Sequence, residues 1–225
     1  WRTHNLDELR KAAQSADISI SGFNGDADFS MIDPSQKEQY LGALRQSIMA
    51  AQRIGAASVT IHSNALGPGG SVINHYDHLS HTVKLCSMFG ILTECAEIAE
   101  QSGIRMHLEA LNTTADHKGN FLRTTQMGAE ICRLIGSPNL KLLYDVYHMS
   151  LNEGGICDHL TAYIDQIGHV HIADAPGRHE PGTGEINYKN VIEHLKNIGY
   201  KGRLGYELFP KNSTAAAIAA IMRAL

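Results

Sequence analysis

Short apolar runs alternate with longer amphipathic stretches from one end of the chain to the other. The short runs have strand length and β-branched residues, whereas the longer stretches repeat apolar positions about every 3.6 residues, as helices do. Six strands are predicted, at Ile18–Gly22, Ser58–His62, Arg105–Ala110, Lys141–Tyr147, His169–Ala173 and Arg203–Leu208. Seven helices are predicted, at Asn5–Gln14, Ser35–Ile54, His78–Ser102, Thr124–Ile135, His159–Asp165, Tyr188–Ile198 and Ser213–Ala224.

Repeated strand–helix units predict a parallel sheet, because parallel neighbours need a long crossover and the crossover is usually a helix. Glycines just past predicted helix ends are typical of helix termination, here Gly55, Gly103, Gly136 and Gly199. The alternation alone fits both a doubly wound sheet and a closed barrel. Polar residues recur at the carboxyl ends of the short runs, and this favours the barrel, whose active sites gather at that end.

The number of units falls short of a complete barrel. An eight-unit barrel takes about 250 residues, or about 31 per unit, and the chain has 225 residues with six predicted strands. The sequence therefore predicts an α/β fold of the (β/α)8 TIM-barrel type that lacks its first strand, first helix and second strand. We expect residues 1–225 to form a single, N-terminally incomplete barrel domain.

Composition and charge narrow the function classes. Apolar residues make up 43% of the chain and charged residues 19%, as in ordinary globular proteins. The formal net charge is −4 and the sequence has no long Lys/Arg run, which argues against nucleic acid or an anionic membrane as partner. No apolar stretch approaches the roughly 18 residues of a membrane span. The four cysteines show no CxxC pair, which is typical of free thiols in a reducing compartment, and we expect a cytoplasmic protein.

Four potential metal ligands end four consecutive predicted strands: Glu109, Asp145, His171 and Glu207. They are 36, 26 and 36 residues apart, about one strand–helix unit each. Because the carboxyl ends of barrel strands surround one mouth, these side chains should converge. Three carboxylates and one imidazole suit Mn²⁺, Mg²⁺ or Co²⁺, whereas structural zinc prefers cysteine and histidine. The pattern predicts a site for a divalent metal cofactor.

Other polar residues crowd the same predicted mouth. His148 follows the second of these carboxylates by three residues, and Arg178 lies in the Gly/Pro-rich loop Asp174–Glu185. Proline and glycine fix such a loop, and an arginine held in it suits a carboxylate or a phosphate. His62, which ends the second predicted strand, is a further candidate substrate-binding residue. Two deeper histidines are predicted to pack in the interior, His107 and His169.

Three sequence motifs carry a family resemblance. They are Pro-Gly-Arg-His-Glu-Pro-Gly-Thr-Gly-Glu-Ile-Asn-Tyr over Pro176–Tyr188, Tyr-Asp-Val-Tyr-His-Met over Tyr144–Met149, and Leu-Glu-Ala-Leu-Asn over Leu108–Asn112. The first resembles, almost letter for letter, a signature of the hydroxypyruvate isomerase branch of the xylose isomerase-like barrel superfamily. The other two are similar to strand motifs of that branch. The resemblance runs from about Leu6 to the last residue.

The resemblance implies a metal-dependent isomerase that interconverts hydroxypyruvate and 2-hydroxy-3-oxopropanoate through an enediolate. It implies that Glu109 and Glu207 act as the acid/base pair, and that His148 and Arg178 hold substrate oxygens. The implied partner is a small keto acid or keto-sugar, and the implied assembly is a homo-oligomer. The implied metal ligands are Glu109, Asp145, His171 and Glu207.

Two positions depart from the pattern and leave the substrate open. His171 stands where some hydroxypyruvate isomerases carry Gln, whereas related ketose 3-epimerases carry His. Ala115 stands where those epimerases carry a carboxylate. A keto-sugar 3-epimerase or isomerase with the same metal site is therefore an alternative. Two weaker alternatives are an endonuclease-IV-like enzyme, which would need several zinc ions and a basic DNA face, and a non-catalytic binding module.

Overall fold

The computed structural model describes residues 1–26 and 28–225. The strands within them are β1 (Gly22–Asn24), β2 (Ser58–Ile61), β3 (Arg105–Glu109), β4 (Leu140–Asp145), β5 (Ile167–Ile172) and β6 (Leu204–Tyr206). The α-helices are α1 (Leu6–Ser15), α2 (Lys37–Ile54), α3 (His81–Ser102), α4 (Thr125–Ile135), α5 (Val146–Asn152), α6 (Ile156–Tyr163), α7 (Tyr188–Asn197) and α8 (Thr214–Ala224).

The six strands form one parallel sheet in sequence order, from β1 to β6. Within the described part of the chain, the outer edges of β1 and β6 pair with no other strand. Residues of both edge strands, among them Asn24 and Tyr206, nevertheless line one cavity of about 350 Å³. The sheet is therefore curled around a common interior, and the prediction of a (β/α)8-type barrel that lacks some of its elements is confirmed. That the absent elements are the first ones, and that the chain is a single domain, stay predictions.

Two predicted strand boundaries are wrong. The first strand lies at Gly22–Asn24 rather than Ile18–Gly22, because the ladder with β2 begins only at Gly22. The run Lys141–Tyr147 stops being a strand at Asp145, where α5 begins and was not predicted. The Asp145 carboxylate accepts the backbone N–H of His148 and so caps that helix. The other predicted strands and helices overlap observed elements.

Local signals in the sequence explain where the helices begin and end. The Asn5 side chain accepts the backbone N–H groups of the first turn of α1. The glycines predicted to end α2, α3 and α4 do so in the left-handed conformation, with φ values of 74°, 71° and 72° at Gly55, Gly103 and Gly136. No helix in the described ranges has the combination of length and apolar character that crossing a membrane needs.

Alternation along each strand separates the helix-facing core from the barrel interior. In β3, Met106 and Leu108 are fully buried in the hydrophobic core. His107 and Glu109 point the other way, into cavities of the interior. Burying each large apolar side chain stabilises the fold by about 1.5–3 kcal/mol before entropy is counted. The same alternation places polar side chains at the mouth, the end of the barrel formed by the carboxyl ends of the strands.

Candidate active site

Four side chains meet at the carboxyl ends of β3 to β6. Glu109 and Asp145 end β3 and β4, His171 lies in β5, and Glu207 directly follows β6. One potential ligand atom of each lies within 4.8 Å of the others. The His171 Nδ1 atom is 3.3 Å from Glu207 Oε2 and 3.9 Å from Asp145 Oδ2. The structure thus brings together all four residues that the sequence places one per strand, here called the carboxylate–histidine cluster.

Three atoms of this cluster are buried and have no hydrogen-bond partner among the described residues: Glu109 Oε1, Asp145 Oδ2 and His171 Nδ1. Glu109 is 3% exposed and Asp145 is 1% exposed. Buried polar atoms normally have partners, and unpaired buried charge is costly. A divalent cation would satisfy all three atoms at once, and carboxylate oxygens with one imidazole suit Mn²⁺, Mg²⁺ or Co²⁺. The donor set therefore fits a metal ion.

Burial and neighbouring charges compete within the cluster. Burial raises the pKa of Asp145 above its usual range, although His171 and Arg178 pull it down. Burial by itself would lower the pKa of His171, yet the surrounding carboxylates, Glu207 first, raise it. Burial by itself would raise the pKa of Glu207, yet His171 and Arg178 lower it to about 2. A bound cation would offset the cost that burial places on the charge of Asp145.

Arg178 lies over the cluster from the loop that follows β5. Its Nη2 atom donates to Glu207 Oε2 at 2.5 Å and lies 3.7 Å from Asp145 Oδ2. Its guanidinium group lies over the Tyr147 ring, 5.4 Å from the ring centroid. Its Nε–H group is buried and has no partner within the described ranges. A partly buried guanidinium with an unused donor suits an anionic oxygen of a ligand.

Asp174 fixes the shape of the loop that carries Arg178. The Asp174 side chain is fully buried, and its carboxylate accepts five backbone N–H groups. Gly184 permits the close turn, because a Cβ atom there would lie 2.1 Å from the carbonyl oxygen of Ala175. Sequence reasoning named Asp174 only as part of the loop. An acidic residue directly between a strand and a Gly/Pro-rich segment is the signal that indicates such an anchor. The five donors are the N–H groups of Ala175, Gly182, Thr183, Gly184 and Ile186.

His148 reaches the cluster from α5 and not from a strand. Its Nε2 atom lies 3.7 Å from Asp145 Oδ2 and 4.0 Å from Glu109 Oε1. Burial lowers the pKa of His148 to about 3, so the ring is neutral at pH 7. Asp145 belongs to the cluster and also accepts the His148 backbone N–H at 3.1 Å. The position of the ring is therefore tied to the position of Asp145.

His62 lies between two carboxylates. Its Nδ1 atom is 2.9 Å from Asp26 Oδ1, and its Nε2 atom is 3.0 Å from Glu109 Oε2. Burial opposes protonation, but the charges and hydrogen bonds of Asp26 and Glu109 raise the pKa of His62 to about 10. The other Asp26 oxygen accepts the hydroxyl of buried Tyr40. Both ring nitrogens are used inside the protein, so His62 orients Glu109; its binding of a substrate stays a prediction.

A cavity of about 570 Å³ adjoins the cluster. Its lining combines Glu109 and Glu207 with three polar residues that sequence reasoning missed as site residues, namely Asp116, His117 and Tyr147. Asp116 and His117 lie in the loop after β3, and loops after barrel strands line the mouth, which is the signal that indicates them. A second group of potential ligand atoms within 4.8 Å of one another consists of Asp116, His117 and His148.

Two histidines lie beneath the cluster on the same strands. His107 and His169 each precede a cluster residue by two positions, so they share its strand face. Their rings stack with centroids 5.5 Å apart and an interplanar angle of 13°. Both ring nitrogens of His107 are buried without a partner in the part of the chain that the structure describes. The pair lies in the interior, as the sequence predicts.

The whole chain resembles known proteins. Residues 1–225 match the family described as xylose isomerase-like TIM barrel. A 2-oxo-tetronate isomerase from Cupriavidus necator is 38% identical over 127 residues, which are 56% of this chain and 48% of that protein. A hydroxypyruvate isomerase from Escherichia coli is 37% identical over 127 residues, 56% of this chain and 49% of that protein. The matched part of the chain thus spans about half the length of these two curated relatives.

Solved structures share the fold. An AP endonuclease, family 2, from Brucella melitensis superposes with a TM-score of 0.88 at 19% identity, covering 98% of this chain and 84% of that one. A 3-keto-D-glucoside 4-epimerase from Escherichia coli gives a TM-score of 0.81 at 20% identity, with the same two coverages of 98% and 84%. At these identities the similarity shows the fold alone.

Proposed function

The chain belongs to the xylose isomerase-like TIM-barrel family, and from this premise we propose that it is an isomerase interconverting hydroxypyruvate and 2-hydroxy-3-oxopropanoate through an enediolate. The observation that carries the proposal is the carboxylate–histidine cluster with its three unpartnered buried atoms. The names of the relatives, a hydroxypyruvate isomerase and a 2-oxo-tetronate isomerase, support an isomerase of a small keto acid.

We expect Glu109, Asp145, His171 and Glu207 to hold one divalent ion, Mn²⁺, Mg²⁺ or Co²⁺. When bound, such an ion supplies Lewis-acid stabilisation of the negative charge that develops on substrate oxygens. Arg178 adds a fixed positive charge beside the same oxygens. The fit of the unpartnered atoms to a cation supports this assignment.

Proton transfer falls to Glu109 and Glu207. The reaction removes a proton from C3 of hydroxypyruvate, next to the carbonyl group, and returns one to C2, while the hydroxyl proton moves from O3 to O2. Such transfers need a positioned acid or base, a role that carboxylates can take. His62 holds one oxygen of Glu109 and leaves the other facing the site. His171 and Arg178 lower the pKa of Glu207 to about 2, so its carboxylate is anionic at neutral pH, as the base form requires.

Substrate binding falls to Arg178 and His148. A carboxylate of the substrate can take the unused Nε–H donor of Arg178. His148 lies beside both Asp145 and Glu109, where it can contact an oxygen of the reacting carbons. A cytoplasmic location and a homo-oligomeric assembly stay predictions from the sequence.

A keto-sugar 3-epimerase or isomerase is the second candidate, and the size of the cavity favours it. A volume of about 570 Å³ exceeds what a three-carbon acid fills, and pockets of roughly 300–1,000 Å³ hold ligands of drug size. The same metal site and the same pair of glutamates would serve a longer substrate. The two candidates differ in the chain length of the preferred substrate.

Proton exchange tests the proposal directly. The full chain, freed of metal with EDTA and reloaded with Mg²⁺, is incubated with hydroxypyruvate in D₂O and followed by ¹H NMR. We expect metal-dependent deuterium uptake at C3 and conversion to 2-hydroxy-3-oxopropanoate, both above an enzyme-free control. Glu109→Gln should lose the exchange, and Glu193→Gln, on the outer helix α7, should keep it.

The outcomes separate the two candidates. Absence of exchange with Mg²⁺, Mn²⁺ and Co²⁺ would contradict the hydroxypyruvate assignment. Exchange at C3 of D-tagatose or D-fructose, with none on hydroxypyruvate, would establish the keto-sugar alternative.

A further inference from the structure

Asn112 is a buried amide whose orientation is fixed by the backbone. It follows β3 by three residues and is 0% exposed. Its Oδ1 atom accepts the backbone N–H groups of Ala115 and Asp116, each at 3.0 Å. Backbone N–H groups only donate, so the oxygen of the amide must face them. The amide nitrogen, Nδ2, must therefore point the other way.

The Nδ2 group of Asn112 meets two acceptors. It donates to Asp116 Oδ2 at 2.8 Å and contacts His148 Nδ1 at 2.7 Å. An amide NH₂ group cannot accept a hydrogen bond, so His148 Nδ1 must be the acceptor. A neutral imidazole carries one proton, and with Nδ1 accepting, that proton is on Nε2.

The Nε2 atom of His148 points at the reacting groups. It is buried and lacks a partner within the described ranges. It lies 3.7 Å from Asp145 Oδ2 and 4.0 Å from Glu109 Oε1, too far for a hydrogen bond to either. A donor placed there has no acceptor among the described residues and is free for an oxygen of a ligand.

We propose that Asn112 is a positioning residue that holds His148 in the Nε2–H tautomer, so that His148 donates a hydrogen bond to a substrate oxygen. The catalytic part of this inference rests on the proposed function. A donor fixed in place stabilises the negative charge that develops on a substrate oxygen as the C3 proton leaves. The opposite tautomer would turn a lone pair toward two carboxylates and could not donate.

The Asn112→Asp variant replaces the donor opposite His148 Nδ1 with an acceptor and changes the shape of the side chain little. One oxygen of the introduced carboxylate can still accept the two backbone N–H groups, and the other would accept from His148 Nδ1. The new carboxylate would also face Asp116, which threatens the fold of the loop. The double variant Asn112→Asp/Asp116→Asn removes that repulsion and keeps the acceptor opposite His148.

The tautomer is measured by ¹⁵N NMR of the metal-free full chain, with the His148 signals assigned by their loss in His148→Gln. We expect a protonated Nε2 and an unprotonated Nδ1 in the wild type, and a protonated Nδ1 with an unprotonated Nε2 in both variants. In the proton-exchange assay, kcat should fall by roughly 10²–10⁴-fold in both variants with a small change in KM. Asn197→Asp, at the end of α7, controls for the added charge and should match the wild type.

Two results would overturn the inference: a protonated Nδ1 on wild-type His148, or a well-folded double variant with protonated Nδ1, unprotonated Nε2 and wild-type kcat. Failure of the proposed function looks different. In that case the wild type would show no exchange on any substrate. The NMR spectra would still show the Nε2–H tautomer of His148 in the wild type and its loss in the Asn112 variants.

Discussion

Two layers of side chains on β3 and β5 lie only two residues apart and have opposite electrostatics. In the upper layer, Glu109 and His171 belong to the carboxylate–histidine cluster, and its carboxylates raise the pKa of His171. In the lower layer, burial first, and then positively charged neighbours, lower the pKa of His107 to about 3 and of His169 to about 4. The carboxylates therefore favour protonation of the upper histidine in the metal-free protein, whereas burial keeps the lower pair neutral.

The difference shows that the residues at the strand ends, together with Arg178 from the loop after β5, decide the charge of the mouth. The upper layer receives Arg178 and His148 from the segments that follow β5 and β4. Gly205 lies beside both layers, because a Cβ atom there would come within 2.7 Å of His171 Cδ2 and 2.8 Å of His169 Nε2. The missing side chain makes room for the rings and supplies no charge. The same strand face thus carries a layer rich in carboxylates above a layer of neutral histidines.

Removing a carboxylate of the upper layer should have the largest effect. We expect Glu109→Gln or Glu207→Gln to lower kcat/KM by roughly 10²–10⁴-fold, the usual contribution of a general acid or base. The change is isosteric, so circular dichroism should show an intact fold. His107→Gln, the matched amide substitution in the lower layer, should keep most of the activity in the same assay. Near-full activity in either glutamate variant would contradict the acid/base assignment.

Removal of the metal should change the Tm of the protein, and variants of the two layers should differ in the size of that change. A metal at 100 times its Kd stabilises the folded state by about 2.7 kcal/mol, so EDTA should lower the Tm of the Mg²⁺-loaded protein. Asp145→Asn should lose this Tm difference, because it replaces a carboxylate of the cluster. The lower-layer variant His107→Gln should keep it. Equal Tm differences in all three proteins would place the ion elsewhere.

Acid should lower the stability of the metal-free protein through the buried histidines of the lower layer. The pKa of His107 is about 3 when folded and 6.5 ordinarily, so between these values the unfolded chain binds more protons and stability falls as the pH falls. The loss begins near pH 6.5 and should reach about 2 kcal/mol by pH 5 from His107 alone. His107→Gln should flatten the dependence, as measured by urea unfolding in EDTA at pH 7 and pH 5. Parallel pH profiles in variant and wild type would show that His107 is not neutral in the fold.

The smallest expected effect lies at the rim above the upper layer. Arg178→Lys keeps the charge and loses the planar fork of donors, and we expect KM to rise about tenfold, or about 1.4 kcal/mol, with a smaller change in kcat. Arg223→Lys, at an exposed position of α8, serves as the matched control in the same steady-state assay. A change in kcat with constant KM would mean that Arg178 does not bind the ground-state substrate.

Much of the upper layer could be predicted from the sequence because strand order and residue order agree in a parallel barrel. Spacing of one unit placed Glu109 and Glu207 at one mouth, and the structure brings them together. The start of α5 could not be predicted from the sequence, because Val146 and Tyr147 continue the apolar run of β4. The capping role of Asp145 becomes visible only once the chain has turned there. Burial and capping override strand propensity there.

Partners of site residues were harder to predict than the residues themselves. Asp26 orients His62 from 36 positions away, and the contact depends on the pairing of β1 with β2. Asn112 meets His148 over the same separation of 36 residues. Single-sequence patterns report periodicity along one element, whereas these contacts follow from how two elements pack.

The anchor at Asp174 divides the loop into a frame and an exchangeable tip. The frame is made of backbone amides gathered on one carboxylate, so it is indifferent to most side chains that the loop displays. Arg178 sits on the tip with φ 55°, a conformation that Asn or Gly also accepts. For protein engineering this makes position 178 exchangeable: new binding groups can be tried there without redesigning the barrel, provided that Asp174, Gly177, Glu180 and Gly184 are left as they are.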